Sequence, residues 1–460
     1  MTDDLRDLLA LTAELAADFH DSLPERPVLP QVSLEELRAS LVLPLPEDPV
    51  PARTVVTDLA AAADAGVVAE AGGRYFGFVI GGHLPAALAA DWLTSAWDQN
   101  AALYVAGPAA SVVEEAAAAW LVDLLALPRE VSYGFVTSGQ AANFTALAAA
   151  RHHVLEQAGW DVEARGLAGA PPIRTVVGAS RHGTIDRALR MLGLGAPTDV
   201  VRADDQGRML PGELPRLDGP AIVCAQAGEV NTGAFDDLAA IRERAPGAWL
   251  HVDGAFGLWA AASPAHRALV AGHERADSWS TDAHKWLNVP YDSGIAFTAH
   301  PDSHRAAFAA QAAYLKETSE TREPFHWVPE HSRRARGFAV YAAIRSLGRS
   351  GVAALVDRCC AHARAFAAGL EELGAEVLND VVLNQVLFRF ATDEQTERAL
   401  GAVQAGGEAF MSGTTWAGRA AIRVSVSNWQ TSEADVERAL AAYARANTSS
   451  RQSSRKPIDS

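Results

Sequence analysis

Two stretches decide the fold. The first is His251-Val252-Asp253-Gly254-Ala255-Phe256-Gly257. The second, Ser280-Thr281-Asp282-Ala283-His284-Lys285-Trp286-Leu287-Asn288, places Lys285 thirty-two positions beyond Asp253. Each carries a short β-type run into an aspartate and then into small residues or a turn. Strands of α/β proteins end this way, at the edge where ligands bind. Lys285 is one of three lysines, with Lys316 and Lys456, among 39 basic residues; the rest are arginines. A guanidinium stays protonated and is a poor nucleophile, so arginine cannot form a Schiff base with an aldehyde. A lysine can, when a desolvated or cationic setting lowers its pKa. Read alone, Lys285 also fits a surface lysine on a turn. A carboxylate at Asp253 can hydrogen-bond a protonated heterocycle, or serve as a helix cap.

Outward from these stretches, β-type runs recur near Tyr133–Val136, Thr175–Ala179, Thr198–Val201, Ala221–Ala225, Trp249–Val252, Ser278–Thr281 and Gly294–Thr298. Ala/Leu/Arg helical patterns fall between several of them. The alternation predicts an α/β fold with a mostly parallel, seven-stranded sheet flanked by helices in a large domain, residues 96–340. Residues 1–95 read as a helical N-terminal segment. It has helical periodicity over Leu5–Ala17, a Pro-rich surface run from Pro24 to Pro51, and a short helix around Glu35–Leu37. Trp92 to Leu127 is mostly helical and stops at Pro128. Val340–Leu373 is helical again and opens a small C-terminal α+β domain, residues 341–446. Its strands are expected at Glu376–Leu378, Val386–Phe390 and Ile422–Val426. Its last helix is expected to start near Thr431 or Ser432, with Glu433 and Asp435 in the first turn. The polar, Ser-rich residues 447–460 predict a disordered tail.

Composition narrows the function. The chain has 460 residues, 49% of them hydrophobic, and a formal charge of −17. A large core is available, and the acidic balance argues against nucleic acid as a partner. Cys224, Cys359 and Cys360 are odd in number and badly spaced for a disulfide framework, and no Cys/His spacing resembles a zinc site, so no metal is expected. A cytoplasmic location fits this cysteine usage. The acidic, amphipathic Met1-Thr2-Asp3-Asp4-Leu5-Arg6 is not a signal peptide, and no apolar run reaches membrane-spanning length.

Two more groups sit at strand ends. Gly134-Phe135-Val136-Thr137-Ser138-Gly139-Gln140-Ala141-Ala142-Asn143 turns from a strand through Ser-Gly into an Ala-rich helix. Backbone N–H groups there can hold a phosphate, although a plain capped helix start reads the same. The stretch is neither a Walker loop nor G-x-G-x-x-G, so a nucleotide is not favoured. In Arg181-His182-Gly183-Thr184, His182 can stack on an aromatic ligand or carry protons near neutral pH; a structural loop histidine is the alternative. A phosphate, an aromatic ring with a basic nitrogen and an aldehyde together describe pyridoxal 5′-phosphate (PLP), whose enzymes pair a Schiff-base lysine with an acidic pyridinium partner.

At these residues the chain resembles the group II PLP-dependent amino-acid decarboxylases of fold type I. Further matching stretches cover most of residues 70–435. They include Arg74-Tyr75-Phe76-Gly77, Trp97-Asp98-Gln99-Asn100, Glu115 through Trp120 to Pro128, Asn231-Thr232-Gly233-Ala234-Phe235-Asp236, Ser332-Arg333-Arg334 and Arg423-Val424-Ser425. The resemblance implies that Lys285 forms the Schiff base and that Asp253 pairs with the pyridine nitrogen. It places His182 on one face of the ring and Ala255 on the other, and Ser138, Gly139, Gln140 and His284 around the phosphate. Asp282 falls where relatives often carry a polar residue near that phosphate. The resemblance also implies a homodimer with active sites at the interface, a segment near Gly348 of the second copy reaching the phosphate. The implied reaction is decarboxylation of an L-amino acid to its amine.

Three departures bear on outcome. Gly228-Glu229-Val230 stands where relatives often read Gly-Thr-Thr, which removes a hydroxyl that Asn231 could replace. Glu323-Pro324-Phe325-His326-Trp327 lacks the tyrosine that aromatic-amino-acid decarboxylases carry before a His-Trp pair. The glycine loop is one residue shorter than Thr-Ser-Gly-Gly. Candidate proton donors are therefore His326 and Tyr314, in a polar loop expected to be mobile, and His182 outside it. Aldehyde synthesis or transamination on the same cofactor is the alternative outcome. A nucleotide-binding oxidoreductase is disfavoured by the lack of G-x-G-x-x-G, and a non-catalytic fold by the joint presence of Lys285, Asp253 and His182.

Overall fold

Seven short runs rich in Val, Ile, Trp and Phe become β1 (Ser132–Val136), β2 (Arg174–Gly178), β3 (Asp199–Val201), β4 (Ala221–Gln226), β5 (Trp249–Asp253), β6 (Ser278–Asp282) and β7 (Gly294–Thr298). The computed structural model describes residues 2–309 and 322–453. The strands form one sheet in the order β1-β7-β6-β5-β4-β2-β3. From β3 to β6 all pairings are parallel, and β7 runs antiparallel to both β6 and β1. The carboxyl ends of β1, β2, β4, β5 and β6 therefore share one edge. Strands β5, β6 and β7 are buried along their whole length, as expected where helices cover both faces of a sheet.

One face carries the Ala-rich helix Gly139–Gln157. On the other, helices Pro85–Trp97, Pro108–Leu124 and Gly337–Glu372 share an apolar core that includes Phe135, Trp279 and Phe297. The stretch expected to be mostly helical from Trp92 to Leu127 spans the end of one helix and the whole of the next. Pro108 begins the second one after a short 3₁₀ turn at Tyr104–Ala106, because proline lacks the N–H needed inside a helix but fits its first turn.

Glu114 and Arg333, which lies in the matching stretch Ser332-Arg333-Arg334, form a bidentate ion pair at 2.8 and 2.7 Å, with Arg333 Nη1 also donating to the Phe135 carbonyl at 3.1 Å. Both side chains are almost fully buried. Removing one partner leaves an uncompensated charge in the core. Glu114→Ala is expected to cost about 3–5 kcal/mol in urea unfolding of the apoprotein. A loss below about 1 kcal/mol, the scale of an exposed pair, would contradict this.

The small sheet has the order β10-β11-β9-β8, with β8 (Glu376–Val377), β9 (Gln385–Arg389), β10 (Ser412–Trp416) and β11 (Arg419–Ser425). Strand β10 was not among the expected strands; its polar Ser-Gly-Thr-Thr start hides an edge strand with one exposed face. The N-terminal segment docks on this domain. Phe76 N–H donates to the Phe410 carbonyl at 2.8 Å and Ser425 N–H to the Phe76 carbonyl at 2.9 Å. The Arg74 guanidinium is spent on the carbonyls of Leu23, Pro24, Arg26 and Glu408.

The last helix, Glu433–Ser453, opens on a Ser432–Asp435 capping pair. It runs past Asn447, where a disordered tail was expected to begin. A helix already nucleated against the core extends at little further cost through weak helix formers. Residues 454–460 lie outside the described residues. No helix among the described residues is long and apolar enough to cross a membrane.

Candidate active site

The strand register builds the floor of the site. Asp253 at the end of β5 lies between Gln226 of β4 and Ser280 of β6. Beyond that edge is a cavity of about 310 Å³. Its lining brings together seven of the expected residues: Gly139, Gln140, His182, Asp253, Ala255, Asp282 and Lys285. Ser138 and His284 stand behind the wall. The Ser138 hydroxyl caps the helix by accepting from Ala141 N–H at 3.3 Å. The His284 ring accepts from Ser293 N–H at 3.2 Å and packs on Tyr291.

Lys285 Nζ lies 2.9 Å from Asp282 Oδ2, and the Asp282 side chain is buried. Asn288 clamps the lysine turn. Held at φ 54°, it donates to the carbonyls of Lys285, Trp286 and Ser427 and accepts from Trp429 N–H at 2.7 Å. Asp253 receives two donors: Asn143 Nδ2 at 3.0 Å on Oδ2 and Ala255 N–H at 3.2 Å on Oδ1. His182 caps helix Gly183–Met191 through Nδ1, which accepts from Thr184 N–H and pairs with Thr184 Oγ1 at 2.9 Å. Desolvation at the cavity mouth lowers the pKa of its imidazole, the Asp253 charge opposing this.

The residues present fit PLP. A Cβ on Gly139 would sit 2.6 Å from Asp282 Oδ2, so only glycine leaves the helix N-terminus open there. Two polar atoms of the lining, Gln140 Nε2 and Asp282 Oδ1, are buried without a hydrogen-bond partner among the described residues, Asp282 Oδ1 lying 3.5 Å from His284 Nε2. Buried polar atoms are normally satisfied, so these suit a polar ligand.

Several lining residues were not assigned to the site from the sequence, Arg423 having been quoted only within the matching stretch Arg423-Val424-Ser425. Arg423 projects from β11, donates through Nη1 to the Val230 carbonyl at 3.2 Å and keeps a buried Nε without a hydrogen-bond partner among the described residues. Phe78 and Val79 line the other side in consecutive left-handed conformations, φ 51° and 60°. Such conformations cost about 1–3 kcal/mol each and cluster at functional sites. Asn143 was quoted only as the end of the glycine loop; a buried amide in an Ala-rich helix, four residues after Gly139, was the available signal.

The departures also have structural readings. Glu229 is buried and turned into its own loop, accepting from the N–H groups of Asn231 and Thr232, while Asn231 faces Glu229 and Thr414 rather than the cavity. Asn231 therefore does not replace the missing hydroxyl. His326 is buried in the 3₁₀ turn Pro324–Trp327 against Phe325 and does not line the cavity. Tyr314 and the polar run Thr318–Thr321, including the expected mobility of that loop, lie outside the described residues. Gly348 kinks the long helix at φ 63° and borders a separate cavity with Trp120 and Arg345.

Residues 35–391 match the family described as pyridoxal-dependent decarboxylase conserved domain. The match spans well over half the chain, and the chain belongs to that family: it is a PLP-dependent carboxy-lyase. Tryptophan decarboxylase 1 of Oryza sativa subsp. japonica is 28% identical over 378 residues, 75% of this chain and 72% of that protein. Phenylacetaldehyde synthase of Arabidopsis thaliana is 24% identical over 472 residues, 95% and 94% of the two chains. Among solved structures, Oryza sativa TDC with PLP and tryptamine superposes with a TM-score of 0.90 at 24% identity, covering 98% of this chain and 99% of that one. That likeness places the fold.

Proposed function

We propose that the protein removes CO₂ from an L-amino acid and releases the amine, with PLP held on Lys285. The observation that carries this reading is that Lys285, Asp253 and an open helix N-terminus share one cavity at the carboxyl edge of the sheet. PLP, when bound, supplies an electron sink for the carbanion left at the substrate's Cα. The chain's residues do the rest. Lys285 Nζ, held by Asp282, is the attachment point. The N–H groups at Gly139 and Gln140 face the phosphate. Asp253 takes the hydrogen bond of the ring nitrogen, and Ala255 and His182 flank the ring. Arg423 offers its unpaired Nε to a substrate carboxylate.

His182 is the proton donor this geometry favours. It lines the cavity, whereas His326 does not. Thr184 occupies Nδ1, which leaves Nε2 to carry the proton. A second copy of the chain completes the reading. The exposed large hydrophobic residues include Val42, Leu43 and Leu45 of the N-terminal segment, together with Val105 and Val112. Exposed apolar side chains are available to an association surface, which supports a homodimer. The three buried free cysteines support a cytoplasmic enzyme.

Aldehyde formation with oxygen is the second reading. It is favoured by the missing tyrosine in Glu323–Trp327 and by the likeness to phenylacetaldehyde synthase. Purified holoprotein should be given a panel of L-amino acids while CO₂, amine, aldehyde and oxygen are followed together. Amine equal to CO₂ is the expected result, and His182→Phe should lower amine per CO₂ while keeping CO₂ release. Aldehyde with oxygen uptake in the wild type would replace the first reading by the second. Amino-group exchange with keto acids and no CO₂ would reject both.

A further inference from the structure

Asn143 lies beneath the site with all of its hydrogen-bonding capacity used. An amide has two N–H donors and two acceptor lone pairs. Nδ2 donates to Asp253 Oδ2 at 3.0 Å and to Thr184 Oγ1 at 3.2 Å. Oδ1 accepts from Ser280 Oγ at 2.6 Å and pairs with His251 Nε2 at 2.9 Å. Behind His251, Nδ1 pairs with Ser278 Oγ at 2.9 Å, and that oxygen accepts from Trp249 Nε1 at 2.8 Å.

The carboxylate end sets the direction of the bonds behind it. An indole N–H only donates, and a carboxylate only accepts. Asp253 therefore takes an N–H from Asn143, which turns the Asn143 Oδ1 toward His251. His251 must then donate through Nε2, and the Nδ1 of the neutral ring accepts from the Ser278 hydroxyl. Burial favours the neutral ring, pushing the His251 imidazole down to about 4. The Thr184 hydroxyl, having accepted from Asn143, gives its own proton to His182 Nδ1. One amide thus reaches two groups of the cavity wall: the carboxylate that faces the ring nitrogen and the histidine expected over the ring.

We infer that Asn143 is a positioning residue for the cofactor's ring nitrogen: it fixes the Asp253 carboxylate in place and, through the Thr184 hydroxyl, is joined to the His182 ring. This rests on the reading of Asp253 as the ring-nitrogen partner. It assigns His251 and Ser280, which do not line the cavity, to hold the Asn143 amide in one orientation. Because Asn143 is on the same helix as Gly139, one rigid element serves both the phosphate and the ring nitrogen.

The test compares two ligands on the apoprotein: PLP and its carbocyclic analogue, in which C–H replaces the ring nitrogen. Dissociation constants for both are measured on wild type, Asn143→Asp and Asn143→Ala. Wild type should prefer PLP by roughly tenfold or more, the scale of one hydrogen bond to a charged group. Asn143→Asp keeps the shape and the acceptors for His251 and Ser280 but turns an oxygen toward Asp253. Its preference for PLP should fall to about a third or less of the wild-type ratio, with analogue binding nearly unchanged. Asn143→Ala serves where Asn143→Asp does not fold. An unchanged ratio in either folded variant, or equal weakening of both ligands, overturns the inference and leaves Asp253 in its role. No preference in the wild type overturns the Asp253 reading itself.

Discussion

Lys285→Ala protein should lose turnover by at least about 10⁴-fold, the scale on which removal of a covalent catalytic group acts. No other described side chain can replace it. The remaining lysines, Lys316 and Lys456, lie outside the described residues, and the arginine that lines the cavity, Arg423, cannot form a Schiff base. The alanine variant also strips the buried Asp282 of the cation 2.9 Å from its Oδ2. That loss is a folding cost as well as a chemical one. Lys285→Arg separates the two, because it keeps a cation for Asp282 and still cannot form the imine. Both variants should be equally inactive, with the arginine form the more stable in urea. Residual turnover within about tenfold of wild type in either variant would remove Lys285 from the mechanism.

Asp253→Asn should lower turnover by roughly 10²–10⁴-fold while the protein still binds PLP through Lys285 and the phosphate end. The substitution keeps the shape and removes the charge proposed to hold the ring nitrogen protonated. The surroundings make it more than a charge change. Both carboxylate oxygens accept N–H groups, one from Asn143 and one from Ala255. An asparagine must turn its NH₂ toward one of them, so donor meets donor. The apoprotein should therefore lose about 1–3 kcal/mol of stability as well. Comparing kcat with the urea midpoint separates the effects: a stability loss with turnover near wild type would show that Asp253 braces the fold and does not serve the cofactor.

The parts of the molecule legible in its sequence are those whose signal is local. All seven strands of the large sheet stand where β-type runs recur; most are apolar because the sheet is covered on both faces, and β6, Ser-Trp-Ser-Thr-Asp, is the polar exception. Of the seven expected residues that line the cavity, Lys285, Asp253, His182 and Gly139 were legible because each lies within a few positions of a strand end, while Gln140, Ala255 and Asp282 were expected from the family resemblance. The small domain was less clear. Strand β10 is polar, and its place depends on pairing with β11 rather than on its own residues. Arg423, Phe78 and Val79 reach the cavity from a domain and a segment far along the chain, which no local pattern reports. The same limit explains Asn231 and His326. Their types suit the chemistry, but the loop around Glu229 and the packing of Phe325 turn them elsewhere.

The most direct measurement uses the scarcity of lysine. Purified holoprotein is reduced with borohydride, digested and mapped by mass spectrometry. With three lysines in the chain, the cofactor has three side chains on which it can be fixed. The expected result is a pyridoxyl group on the peptide holding Lys285, and its absence from the Lys285→Arg protein. Attachment at Lys316 or Lys456 instead, or no attachment in protein saturated with PLP, would contradict the account.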